Sequence, residues 1–338
     1  MTGQVTATAL GDWPGTDPVE AAKAIRGELG TPHLPFLAEL PARGVGSDPV
    51  GRAASVLTGL WADVQPHGWR LTPRPGGDSR RAAAALASDL NALADVAGAE
   101  ERSAEGLHVR LLGPVSLMAN LSLASGEKAL LDHGARRDLA DSFAEGLAGF
   151  LARVRAAVPG AALTVQIDEP DAARVLAGLV PTSSGYRTLR AVPVHEVRAA
   201  WASAVGALRA AGAETAVVHL PAWEAPFAAA LEAGADALAV PAPDLTAGQW
   251  EALAGAVESG RGVWLGIVPD DGAPGVRTGE LAERVVRPWR QLGLPFEALD
   301  AVRLTPVGGL SGCTPDEAVR RLARTVTVAD AVNQIALG

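Results

Sequence analysis

One local pattern recurs along this chain and restricts its fold more than any other feature. A short apolar, β-branched run ends abruptly in a polar residue and then a proline. Val217-Val218-His219-Leu220-Pro221 is one instance, and Val165-Gln166-Ile167-Asp168-Glu169-Pro170 is another. A strand buried on both faces reads as a continuous apolar run. A polar group at its carboxyl end is what a parallel strand delivers to a site.

Runs of this kind alternate with helical patterns from one end of the chain to the other. The strands are expected at Val5–Leu10, Leu60–Gln65, His108–Leu112, Ala161–Asp168, Thr215–His219, Ala237–Val240, Gly262–Val268 and Val302–Thr305. Between them, Gly134–Val158 carries Leu139, Phe143, Leu147, Phe150, Leu151 and Val154 at helical spacing. Asp17-Pro18-Val19-Glu20 supplies an N-cap and a proline at the first helical position. Thr246 with Gln249 forms a capping box, and Thr314-Pro315-Asp316-Glu317 opens the last helix. Thr31–Gly51 holds four prolines and reads as irregular. Strands alternating with helices imply right-handed βαβ units and a parallel sheet. Eight strands is the number that closes a barrel. The expected fold is therefore α/β, a single (β/α)8 TIM barrel over residues 1–338. Gly11-Asp12-Trp13-Pro14-Gly15 does not match a dinucleotide-binding glycine motif, and no P-loop is found.

Composition excludes some functions. Net charge is −9, the only lysines are Lys23 and Lys128, and there is no basic block. Binding to nucleic acid by phosphate neutralisation is not expected. No apolar run approaches the ~20 residues of a membrane span. The start, Met1-Thr2-Gly3-Gln4, has no basic or apolar leader, so the expected location is cytoplasmic and the expected partner a small molecule. Cys313 is the single cysteine, and it sits just before the N-cap Thr314 as an apolar staple.

In a barrel the active site lies at the carboxyl ends of the strands. The polar residues there are Asp12, Gln65, Asp168, Glu169, His219, Asp270 and Thr305. Asp168 and Glu169 are adjacent, so their side chains diverge; one faces the barrel axis and the other the helices. His219 is either a core histidine bonded to a loop or a general acid/base or ligand. Trp13, Trp69 and Trp223 follow strands one, two and five, and either stack on a planar ligand or seal the mouth. Arg70 either binds a carboxylate or phosphate or makes a surface ion pair.

Taken together, these stretches resemble the catalytic barrel of cobalamin-independent methionine synthase, in the superfamily that also holds uroporphyrinogen decarboxylase. The resemblance runs over nearly the whole chain. Leu10-Gly11-Asp12-Trp13-Pro14-Gly15-Thr16 is similar to the family's I-G-S-x-P, and Gly113-Pro114-Val115 to its G-P-V-T. Gln166-Ile167-Asp168-Glu169-Pro170 is identical to its Q-I-D-E-P. Thr305-Pro306-Val307-Gly308-Gly309-Leu310 is similar to its N-P-D-C-G-L. The resemblance implies methyl transfer to a thiol or amino-acid-like acceptor in methionine metabolism, with a folate-like or amino-acid-like ligand. It implies catalytic roles for His219 and Asp168, and substrate contacts from Gly11, Asp12, Trp13, Gln166, Glu169, Trp223 and Thr305. The family holds zinc on four side chains. The first falls on His219, and the others on Pro221, Pro241 and Gly308, which offer no side-chain donor. No metal ligand set and no cofactor is therefore expected here. The alternatives are a metal-free enzyme in the manner of the decarboxylase, and a non-catalytic barrel that binds a ligand.

Overall fold

The computed structural model describes residues 4–100, 105–223, 225–269 and 276–337. In chain order the elements are β1 (Thr6–Ala7), α1 (Pro18–Glu28), α2 (Pro49–Ala54), β2 (Trp61–Gln65), β3 (Gly68–Thr72), α3 (Gly77–Gly98), β4 (Gly106–Leu112), α4 (Pro114–Asn120) and α5 (His133–Ala157). Then follow β5 (Ala162–Asp168), α6 (Ala172–Ala177), α7 (Val194–Ala210), β6 (Thr215–His219), α8 (Phe227–Glu232), β7 (Ala237–Pro241) and α9 (Ala247–Glu258). The chain finishes with β8 (Gly262–Val268), α10 (Thr278–Gln291), β9 (Val302–Pro306) and α11 (Pro315–Leu337). No helix among the described residues is long and apolar enough to cross a membrane.

Seven strands form one curled parallel sheet in the order β1-β9-β8-β7-β6-β5-β4. Its two edges, β1 and β4, are joined by an extended stretch at residues 34–39. Leu34 N–H donates to Ala7 O and Glu39 N–H to Gly11 O, on the β1 side. On the other side Leu37 N–H donates to His108 O, and His108 N–H donates to Pro35 O. This stretch occupies the second position of the barrel. The sequence reading expected Leu60–Gln65 there. That run is extended, but β2 pairs antiparallel with β3 as a separate hairpin, Trp61 opposite Thr72 and Gln65 opposite Gly68. Proline explains the exchange. Pro35 hides the stave by breaking the apolar pattern, while its missing N–H is tolerated because its neighbours make the bonds.

The helices cover the outside of the sheet. Leu139, Phe143, Leu147, Phe150, Leu151 and Val154 of α5 are all buried against it, each contributing about 1.5–3 kcal/mol. The expected caps form. Asp17 accepts from Val19 N–H and Glu20 N–H, and Thr246 and Gln249 close a capping box on α9.

Strand alternation sends every second residue into the barrel. In β4, β5, β6 and β9 the outward residues Leu107, Val109, Leu163, Val165, Ala216, Val218, Val302 and Leu304 join the main core. Inside, Leu34, Val217, Ala237, Ala239 and Trp264 form a separate small cluster. The rest of the interior is polar: His108 and Arg110 on β4, Thr164, Gln166 and Asp168 on β5, and Arg303 and Thr305 on β9. That polarity is what creates a site.

Candidate functional site

At the carboxyl ends of the strands, Asp168 and His219 stand opposite each other in the β5–β6 ladder. The His219 imidazole is bonded through Nδ1 to Asp168 Oδ1. The His219 side chain is 17% exposed and that of Asp168 is 9% exposed. The other Asp168 oxygen lies 3.3 Å from Arg110 Nε. Burial opposes the charge on Asp168, but Arg110 and His219 outweigh it and hold the carboxyl down at about 2.

Arg110 is the hub. Besides Asp168 it faces Glu39 at 3.3 Å and Asp12 at 3.5 Å, and it donates to Leu10 O at 3.2 Å. Burial works against its charge, but Glu39, Asp168 and Asp12 raise its affinity for the proton above the ordinary value. Glu39 also meets Arg52 at 3.2 Å. Arg52 in turn pairs with Asp89, and Asp89 with Arg43. Burial pushes the Glu39 carboxyl up, against the pull of Arg110 and Arg52. The chain of charges thus runs from His219 at the mouth to Arg43 outside the barrel. Its four carboxylates, Asp12, Glu39, Asp89 and Asp168, exceed its three guanidinium groups by one.

Sequence reasoning missed Arg110, Glu39 and Arg52. Arg110 lies inside the run His108-Val109-Arg110-Leu111-Leu112, where a strict alternation reading puts residues 108 and 110 on one face. Glu39 is hidden because Pro32, Pro35, Pro41 and Pro49 make its stretch look irregular in the sequence.

The expected substrate residues separate into groups. Asp12 reaches across the mouth, pairs with Arg110 and accepts from Ser311 N–H at 2.9 Å. Gly11 adopts φ +112° beside the Arg110 stem. Any Cβ there would be strained and would sit 3.1 Å from Arg110. Gln166 is fully buried below the mouth and donates weakly to Leu10 O at 3.5 Å. Thr305 is buried and donates to Pro306 O. Trp13 is buried against Phe36, so it is packing rather than a ligand platform. Trp69 is buried in the hairpin and donates to Asp48. Trp223 is 52% exposed. With Pro221, Pro241, Thr246 and Gln249 it lines a recess of about 720 Å³ beyond β6 and β7. Gln65 and Arg70 lie on the hairpin, and Asp270 lies outside the described residues.

Glu169 points the other way, toward the helices. It is fully buried and accepts from Val115 N–H (3.1 Å), Ser116 N–H (2.7 Å) and Trp201 Nε1–H (2.7 Å). Its carboxyl therefore closes the start of α4. Burial raises it to about 7, against the three donors. Gly113 is required beside it, since a Cβ there would lie 2.3 Å from Glu169 Oε1.

The donor set does not fit zinc. Of the four family positions only His219 carries a donor. Cys313 gives its S–H to Leu310 O, and burial raises its thiol, which disfavours the thiolate a metal needs. Among the described residues no group of three or more His, Cys, Asp or Glu is placed to hold a metal ion.

No family model and no curated protein matches the chain. Solved structures do. A B12-independent methionine synthase from a Shewanella species, in complex with selenomethionine, is 12% identical and superposes with TM-score 0.64, covering 99% of each chain. A methyltransferase from Methanosarcina mazei is 12% identical with TM-score 0.59, covering 98% of this chain and 94% of that one. At this identity the likeness establishes a shared barrel fold over nearly the whole chain.

Proposed function

We propose that residues 1–338 form one divergent barrel of the cobalamin-independent methionine synthase kind. It acts on a small thiol or amino-acid-like molecule at the barrel mouth, without zinc. His219 handles the proton and Asp168 orients it. The observation that carries this reading is the Asp168–His219 contact at adjacent strand ends, beside the charged hub of Arg110.

The chemistry follows from the contact. With Asp168 ionised, His219 keeps its proton on Nδ1, and Nε2 is left for a substrate. This is how a carboxylate fixes the tautomer of a general base. In methyl transfer to a thiol, Nε2 takes the S–H proton as the sulfur lone pair attacks the methyl carbon. The bond from the methyl carbon to the nitrogen of an N-methyl donor breaks, and that nitrogen recovers the proton from His219. General base catalysis of this kind contributes roughly 10²–10⁴-fold. Support for methyl transfer in particular comes from the motif resemblance together with the shared fold.

The test is a mass-spectrometric assay of methylated product from small thiols and an N-methyl folate donor, with a strong chelator present. Turnover that resists the chelator and disappears in His219→Ala is the expected result. Chelator-sensitive turnover, or activity unchanged in His219→Ala, would overturn the assignment. A saturable rise in melting temperature with thiol or amino acid, but no product, would leave a binding barrel in place of an enzyme.

A further inference from the structure

Among the described residues the barrel interior carries two arginines, Arg110 and Arg303, and they are treated oppositely. Arg110 at the mouth is surrounded by three carboxylates. Arg303 is the second residue of β9, at the opposite, amino-terminal end, and among the described residues no carboxylate pairs with it. Its Nε–H donates to Thr6 Oγ1 at 3.0 Å, and its guanidinium lies 5.2 Å from the Trp264 ring centroid. Burial lowers it to about 10, and nothing nearby restores it. Arg303 is partly buried, and a cation with restricted access to water and no counter-ion is costly.

Arg303 borders a recess of about 250 Å³ in the floor of the barrel. Thr164 and Thr215 line it from the amino-terminal ends of β5 and β6. His33 lines it too. Its Nδ1 accepts from Ala7 N–H at 3.1 Å, and burial lowers its proton affinity, so the neutral ring carries its proton on Nε2. The floor therefore offers a planar fork of guanidinium donors, a ring N–H and two hydroxyls. Glu105 and Glu214 also line the recess, but both are exposed at its rim, where solvent screens them.

We infer that this floor recess is a binding site for a small oxyanion of phosphate size, held by Arg303 with His33, Thr164 and Thr215. It lies at the end of the barrel away from His219 and does not depend on the function proposed for the mouth. The anion supplies the charge that Arg303 lacks, and arginine is the side chain best shaped to take two oxygens of such a group at once.

The experiment is calorimetric titration of the whole protein with inorganic phosphate, beside thermal melts in phosphate and in sodium chloride of matched ionic strength. The expected result is saturable binding and a phosphate-specific rise in melting temperature. Arg303→Met should weaken binding roughly tenfold or more, and Arg303→Lys should fall between it and the parent. The parent measurement stands even where a variant folds poorly. Phosphate acting no differently from chloride on the parent would overturn the proposal. So would a folded Arg303→Met protein that binds phosphate as the parent does.

Discussion

Asp168 holds two partners at once: its Oδ1 meets His219 Nδ1 and its Oδ2 lies 3.3 Å from Arg110 Nε. The two partners differ in what they need from it. Arg110 is buried and keeps Glu39 and Asp12 as further partners, whereas the His219 ring is partly exposed and, among the described residues, is held by Asp168.

Variants at the two positions should therefore behave differently. His219→Ala leaves Asp168 paired with Arg110, and its cost in stability should stay within about 1 kcal/mol. The proposed turnover should fall by roughly 10²–10⁴. Asp168→Asn keeps the shape but removes the charge that faces Arg110 and fixes the His219 ring. It should lose about 1–3 kcal/mol and leave His219 without its orienting partner, so turnover falls as well. Urea unfolding of both variants beside the turnover assay checks the split. Equal stability losses would contradict the arrangement.

Arg110→Met removes the cation from among three carboxylates. Breaking a buried pair in this way costs about 3–5 kcal/mol. The loss has a definite pH dependence. Without Arg110 the carboxyls of Asp168 and Glu39 rise, because the group that favoured their charge is gone. A raised acid is penalised in the folded state only where it must ionise, so acidification relieves the penalty. The stability gap between parent and variant should be widest near pH 7 and should narrow toward pH 4. Urea midpoints at the two ends of that range decide it, and a gap that widens on acidification would contradict the hub role.

Much of the placement of the candidate site's residues is legible in the sequence, and the part that is not has a physical cause. Asp168 and His219 were legible because each ends a clean apolar run, where a polar residue has no packing reason to be. The divergence of Glu169 from Asp168 follows from strand alternation alone, although the helix start that Glu169 closes does not. Seven of the eight staves were legible from their β-branched runs. The eighth, residues 34–39, was not, because Pro35 interrupts its pattern and its hydrogen bonds are shared between two edges. Its loss from the reading carried Glu39 with it. Trp13 is a different case. An aromatic after a strand looks the same in sequence whether it faces a ligand or, as here, Phe36.

Glu169 makes stability fall as pH rises through the neutral range. Its carboxyl is raised from 4.5 to about 7 by burial. Below 4.5 folded and unfolded states are both protonated, and the contribution of the neutral acid is fully present. Between 4.5 and 7 the unfolded chain gives up its proton while the folded one keeps it, so stability is lost, on the order of 3 kcal/mol across that window. Glu169→Gln cannot titrate and should not show this component. It should be less stable than the parent at pH 5, since its amide NH₂ accepts no hydrogen bond and would face either the Ser116 N–H or, flipped, the N–H groups of Val115 and Trp201. The difference should shrink by pH 7.5. Unfolding curves at half-unit steps test this, and parallel pH profiles for parent and variant would refute it.

Gly309 sets the last test, because it is where the loop after β9 touches Asp12. A Cβ at this position would lie 2.3 Å from Asp12 Oδ2 and 2.5 Å from Oδ1. Asp12 cannot swing away freely: it accepts from Ser311 N–H at 2.9 Å and faces Arg110 at 3.5 Å. Gly309→Ala should therefore cost about 1–3 kcal/mol, the range for overpacking. If the clash with Asp12 is the cause, the cost depends on Asp12 being there. Asp12→Ala alone loses its contacts to Ser311 and Arg110, but in that background the added methyl of Gly309→Ala meets open space. The double-mutant cycle should show that Gly309→Ala is nearly neutral once Asp12 is gone, a coupling of about 1 kcal/mol or more. Additive losses would mean that the glycine is needed for its backbone and not for the carboxylate beside it. The loop would then hold Asp12 through Ser311 N–H and not through the close fit at Gly309.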